Sequence, residues 1–89
     1  MKQRYLDVMF CRGRAIAAYY HLPRRRGQKS HHTVKAGSGL VIDFARDGMP
    51  IGIEIVSPGK VSPTAMNRIL KKFGFEQITR AELAPLLAA

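Results

Sequence analysis

The sequence has no tryptophan, one cysteine and only six acidic residues among 89. With Cys11 alone, no intrachain disulfide can form, which fits a reducing compartment and leaves packing to hold the fold. A lone Cys is most often a small buried hydrophobe, so no nucleophile is expected at Cys11. No apolar run approaches the length that spans a bilayer, and Met1–Asp7 lacks a signal-peptide apolar core. A cytoplasmic protein with no membrane association is the expectation. Gly37-Ser38-Gly39 is glycine-rich but leads into a strand and lacks a Walker-type Gly-Lys-Ser/Thr, so it is not expected to cradle phosphate. No helix-turn-helix, zinc finger or other reader motif is present, which argues against specific base readout.

What the chain has in excess is positive charge. Fifteen Lys and Arg give a formal net charge of +9. The excess is uneven: Lys2, Arg4, Arg12, Arg14, Arg24, Arg25, Arg26, Lys29 and Lys35 face Asp7 alone in the first 35 residues. Such a half favours a polyanion or an acidic protein partner, or serves as a solvated surface. The chain is also 46% hydrophobic, too apolar for a disordered tail. A single domain over 1–89 is expected, with a sheet part at about 3–56 and a helical part at about 62–88. A domain this small is marginal alone, and a homodimer is the common remedy.

Tyr5–Cys11 reads as a strand, Arg12-Gly13-Arg14 as a turn and Ala15–Leu22 as a second strand. Pro23–His32 has concentrated charge and no apolar period, so a long, exposed, mobile loop is expected. Thr33–Ala36 is a candidate short strand. The clearest pattern follows: Leu40, Ile42 and Phe44, then Asp47-Gly48, then Ile51, Ile53 and Ile55. Period two on both arms around Asp-Gly is a hairpin signature. A two-residue or a four-residue loop pairs Phe44 with Ile51, Ile42 with Ile53 and Leu40 with Ile55, placing all six on one face. Val41, Asp43, Gly52, Glu54 and Val56 then share the other face. Pro50 belongs near the turn or at an edge.

Ser57-Pro58-Gly59 reads as a turn. Ser62 is a helix N-cap with Pro63 at the first helical position. Met66, Ile69, Leu70 and Phe73 form an apolar stripe, with Thr64, Asn67, Arg68, Lys71 and Lys72 opposite. Gly74 ends this helix. Thr79–Glu82 is a capping box that starts a second short helix, which Pro85 should kink or end. Val61–Met66 and Ile78–Leu83 are candidate hydrophobic staples. Leu86–Ala89 is an apolar tail for the core or for a partner. The fold expected is α+β: a small antiparallel β-meander of four to five strands with one or two C-terminal helices packed on one face.

Gly39-Leu40-Val41-Ile42-Asp43-Phe44 and Asp47-Gly48-Met49-Pro50-Ile51-Gly52-Ile53-Glu54-Ile55 resemble the signature of domain-of-unknown-function family 2283, small and mostly bacterial proteins. Asp7-Val8-Met9-Phe10 is similar to that family's earlier Asp-x-hydrophobic-aromatic strand. The family-pattern residues here are Asp7, Asp43, Asp47, Gly48, Gly52 and Glu54. The Tyr-Asp pair that usually precedes the first strand is absent, the second loop is more basic, and the helical tail lies outside the family core. The resemblance implies a small β-meander and no established activity. Some members are suspected of belonging to toxin–antitoxin pairs.

Asp43 and Glu54 share a face, yet no third group accompanies them as catalytic carboxylates would require. They read as structural acids, paired with cations of neighbouring strands or with backbone N–H groups. His31-His32 would point to opposite sides of a strand with no further ligand beside them, so no metal and no cofactor is expected. The best candidate contact residues are Arg24, Arg25, Arg26 and Lys29 of the loop, with Arg68, Lys71 and Lys72 of the helix. The sequence therefore suggests a non-enzymatic basic binding or assembly module, and the resemblance implies an antitoxin-like accessory protein with a protein partner. Sequence-independent nucleic-acid binding through residues 24–29 is the alternative, and an enzyme using Asp43 and Glu54 the least favoured reading.

Overall fold

The computed structural model describes residues 4–37 and 39–87. Ser38 of the Gly37-Ser38-Gly39 stretch, the side chain of Leu87, and Ala88 and Ala89 of the apolar tail lie outside the described residues. Five antiparallel strands form one sheet: β1 (Tyr5–Cys11), β2 (Arg14–His21), β3 (His32–Lys35), β4 (Leu40–Phe44) and β5 (Pro50–Ile55). Two helices follow, α1 (Pro63–Lys72) and the single turn α2 (Ala84–Leu87). The α+β class and the antiparallel sheet match the sequence pattern.

The strand order, β1-β2-β5-β4-β3, departs from a simple meander at one connection. β2 pairs with β5, and the chain then travels to the far edge to lay down β3. The pairing has a packing reason. Ala18 and Tyr20 of β2 and Leu22 just after it are buried, and they join Ile53 and Ile55 of β5 in one cluster. The residues of β3 are all exposed and could not complete that core.

The β4–β5 hairpin corrects the expected register at its tip. Leu40 pairs with Ile55 and Ile42 with Ile53, as the alternation requires, but Phe44 pairs with Pro50 instead of Ile51. The loop has three residues, Arg46-Asp47-Gly48, closed by Ala45 N–H donating to Met49 O (2.9 Å) and Gly48 N–H donating to Ala45 O (3.0 Å). Gly48 takes φ 88°, the left-handed position that ends this turn type. An odd loop shifts the pairing by one, and Ile51 absorbs the shift as a β-bulge. Ile51 is buried, yet it lies outside the main core cluster. Pro50 is the first residue of β5, where its missing N–H costs nothing.

The β1–β2 hairpin turns on Arg12 and Gly13, both at positive φ. It carries a second bulge, at Ile16. β2–β5 pairing stops at Ala18–Ile55, so the hairpin beyond it has no third strand. Met9, Phe10 and Ile16 are exposed on that ribbon. Cys11, expected to be buried, is exposed there for the same reason.

α1 begins as the sequence indicates: Ser62 Oγ accepts from Ala65 N–H (3.1 Å). It ends in a Schellman motif, with Phe75 N–H donating to Leu70 O (2.8 Å) and Gly74 N–H to Lys71 O (3.1 Å). Met66, Ile69 and Leu70 pack into a core with Leu40, Ile42, Ile53 and Ile55; Phe44 and Phe73 close its margin. Burial of each large side chain contributes about 1.5–3 kcal/mol. The Thr79 capping box forms, with Thr79 N–H on Glu82 Oε1 (3.0 Å) and Glu82 N–H on Thr79 Oγ1 (3.1 Å). The helix expected from Thr79 begins only at Ala84, and Pro85 sits inside it instead of ending it. In a first turn the missing N–H has no partner to lose. Val61, Ile78, Leu83 and Leu86 are buried in the same core, so Leu86 is a core residue. Asn67 anchors the linker to α1, accepting from Ile78 N–H (2.6 Å) and donating to Ile78 O (3.2 Å). No helix among the described residues is long and apolar enough to cross a membrane.

Candidate functional site

The site follows from the crossing connection. β2 and β4 end, and β3 and β5 begin, at one end of the sheet, so residues 22–31 must run across that end to reach the far edge. The segment was expected to be mobile, but it is tied to the hairpin tip throughout. Leu22 N–H and Arg24 Nη2 both donate to Ile51 O (3.1 Å each). The bulge at Ile51 is therefore where the loop docks. Gln28 accepts from Arg25 N–H (2.7 Å) and donates to Asp47 Oδ2 (3.0 Å), while Asp47 Oδ1 accepts from Met49 N–H (3.0 Å). Ser30 Oγ donates to Asp43, and His31 N–H to Phe44 O (2.8 Å).

These ties sort the basic residues. Arg24 is half-buried and committed to a backbone carbonyl, so it positions the loop. Arg25, Arg26 and Lys29 are exposed. With Arg46 they line a shallow cleft of about 630 Å³ between the loop and the hairpin tip. Arg68, Lys71 and Lys72 are exposed on the outer side of α1. The end of α1 reaches the same region: Phe73 meets Phe44 edge-on at 5.7 Å between centroids, and Lys72 Nζ lies 5.9 Å from the Phe73 ring. Phe44 stacks on His32 at 5.0 Å, and His32 meets His31 edge-on at 5.7 Å. Lys72 thus stands near the same sheet end as the loop cations.

Among the described residues, the cations there have no ion-pair partner within 4.0 Å, although Asp47 lines the same cleft. The one contact between a carboxylate and a basic side chain within 4.0 Å among the described residues is His21 Nε2 with Asp7 Oδ2, at 3.0 Å. No Lys or Arg in that set lies within 4.0 Å of a carboxylate. Arg4 is committed elsewhere, donating to Glu76 O (2.6 Å) and Gln77 O (3.2 Å).

Asp43, expected to pair with a cation of a neighbouring strand or with backbone N–H groups, is instead held by side-chain hydroxyls. Asp43 accepts from the Tyr19 hydroxyl (2.9 Å) and from Ser30. Tyr19 belongs to β2 and Asp43 to β4, so the ring spans the intervening β5, passing over Gly52. A Cβ on Gly52 would fall 2.0 Å from the Tyr19 hydroxyl oxygen. Burial pushes the Tyr19 hydroxyl up to about 12, and the neighbouring Asp43 charge adds to the rise. Glu54 is exposed, one row away opposite Tyr19 and Val41. Asp43 is engaged structurally and Glu54 is not beside it in register.

On the same open face Tyr5 stacks on His21 at 4.2 Å, with the planes 10° apart, and Tyr19 meets His21 edge-on at 4.6 Å. Sequence reading passed over Tyr5 and His21, because only the β1–β2 register brings them together. A glycine inside a strand was the available sign that a side chain from elsewhere crosses Gly52. No cluster of metal-ligating side chains occurs among the described residues. Comparisons with family models, with curated proteins and with solved structures find no match to this chain.

Proposed function

We propose that this protein is a binding module for the phosphate backbone of nucleic acid, held without sequence preference at the loop end of the sheet. One observation carries the reading: Arg25, Arg26, Lys29 and Arg46 line one cleft at the end of the sheet, Lys72 of α1 lies near it, and none of them has a carboxylate within 4.0 Å among the described residues. Unpaired cations on a chain of net charge +9 attract a polyanion over a distance and release its counterions on contact. The ties from Arg24, Gln28 and Ser30 hold the loop in place before binding, which lowers the ordering cost.

Fluorescence anisotropy with labelled oligonucleotides across a salt series tests this. Affinity should fall linearly with log salt, and Arg25→Ala/Arg26→Ala/Lys29→Ala should flatten the slope by about two to three. Arg24 is left intact because it supports the loop. An unchanged affinity and slope in the triple variant removes the reading. A second reading, an assembly module with an acidic protein partner, draws on Met9, Phe10 and Ile16, exposed on the β1–β2 ribbon. Capture from cells with and without nuclease separates the two.

A further inference from the structure

We infer that the nucleic acid held at this end is single-stranded, with bases stacking on two aromatic pairs that flank the basic loop. The inference rests on the phosphate-binding reading and narrows it to one class of ligand.

The loop cations lie between two stacked ring pairs. On the β1 side, Tyr5 lies on His21 with planes 10° apart, and Tyr5 is half-exposed. A cleft of about 580 Å³ runs from this pair to Arg25 and Arg26. On the β3 side, exposed His32 lies on Phe44 with planes 9° apart, beside exposed His31. The second cleft joins His31 to Arg25, Arg26, Lys29 and Arg46. Each pair is parallel-stacked, so the inner ring fixes the outer one and leaves an edge or face to solvent. Tyr5 and His21 lie with Tyr19 on the open face, and the His32–Phe44 pair lies on the helix side, where Phe44 meets Phe73. A strand crossing the sheet end would pass from one pair to the other over the loop cations.

β1 and β3 are the two edges of the sheet, about 19 Å apart at four spacings of about 4.8 Å. A flexible single strand can follow this path and turn its bases onto the rings. A duplex cannot: its bases are already stacked inside, and a stiff rod does not bend over the edge of one small domain. Alternating cations and ring faces is the arrangement that serves single strands without reading sequence, since every base has a π-face.

The test compares labelled oligothymidylate and oligouridylate with a DNA duplex of equal length, by anisotropy at fixed salt. The single strands should bind at least tenfold more tightly than the duplex. Tyr5→Ala and His32→Ala should each weaken single-strand binding by about five- to a hundredfold, and barely alter duplex binding. Tyr5→Phe and His32→Phe keep a stacking ring and should restore affinity, which separates stacking from any loss of fold. Equal affinity for duplex and single strand, with the Ala variants neutral and the salt slope intact, overturns the stacking inference and leaves the phosphate reading standing. Absence of salt-dependent binding to any of the three probes overturns both.

Discussion

Replacing Gly52 with alanine puts the open face of the sheet to a quantitative test. The new Cβ would stand 2.0, 2.2 and 2.4 Å from the Tyr19 hydroxyl oxygen, Cζ and Cε2, so the ring must leave. Its hydrogen bond to the charged Asp43 goes with it. A bond of that kind contributes about 1.5–3 kcal/mol, and the lower end applies to this partly buried pair. Displacing the ring uncovers about a third of the area an aromatic side chain buries, or about 60 Å², worth about 1.5 kcal/mol. Alanine offsets about 0.5–1 kcal/mol of this, because glycine loses more backbone freedom in a strand. The net loss is about 2 kcal/mol. Urea unfolding followed by far-UV circular dichroism suits a chain without tryptophan, and the midpoint should fall by roughly 1–2 M. The decisive comparison is the same substitution in a Tyr19→Ala background, where it should be neutral or stabilising by about 0.5 kcal/mol. A loss under about 0.5 kcal/mol in the native background, or an equal loss in both, would refute the account of Tyr19 crossing Gly52.

Three further outcomes are expected. Burial pushes the Tyr19 hydroxyl up to about 12 from its usual 10.0, so its contribution to stability should be fully present below pH 10 and disappear as pH rises toward 12. Tyrosinate absorbance in Asp43→Asn should show that titration moving down while staying above 10, because burial is the larger cause; an unmoved curve would count against the pair. Tyr20 is buried and its hydroxyl has no hydrogen-bond partner among the described residues, so Tyr20→Phe should be neutral or raise stability by up to about 1 kcal/mol; a clear drop in Tm would contradict this. Asn67→Ala strips both partners from the Ile78 backbone and should cost about 1–3 kcal/mol in urea unfolding, whereas a cost near zero would mean that the linker does not depend on it.

The two-residue period of Leu40–Phe44 and Ile51–Ile55 made the hairpin readable, and so did the capping signals at Ser62, Gly74 and Thr79. Each is local: the partner residues lie within a few positions. The errors share a cause. Alternation tells which side chains share a face but not how many residues the turn contains, and a three-residue loop with a bulge at Ile51 keeps Leu40, Ile42 and Phe44 on the core side while giving Phe44 Pro50 as its partner and taking Ile51 out of the main core cluster. The β2–β5 pairing joins residues more than thirty positions apart, and no period in the sequence reports it. The candidate site depends on that pairing, because the loop crosses the sheet end only when β2 lies inside the sheet. The cations were visible as composition. Their lack of carboxylate partners, the anchoring role of Arg24 and the ring pairs beside them needed the register.

The strand order also divides the work of folding. β1–β2 and β3–β4–β5 are each neighbours along the chain and can assemble from short loops, with little chain entropy to overcome. Only the four rungs from Ala18–Ile55 to His21–Gly52 join these two pieces. That seam has the highest sequence separation in the sheet, so closing it costs the most loop entropy of any strand pairing, and Tyr20, Ile53 and Ile55 along it belong to the buried core. Leu22 and Arg24, both held on Ile51 O just past the last rung, act as the latch that closes the two pieces together.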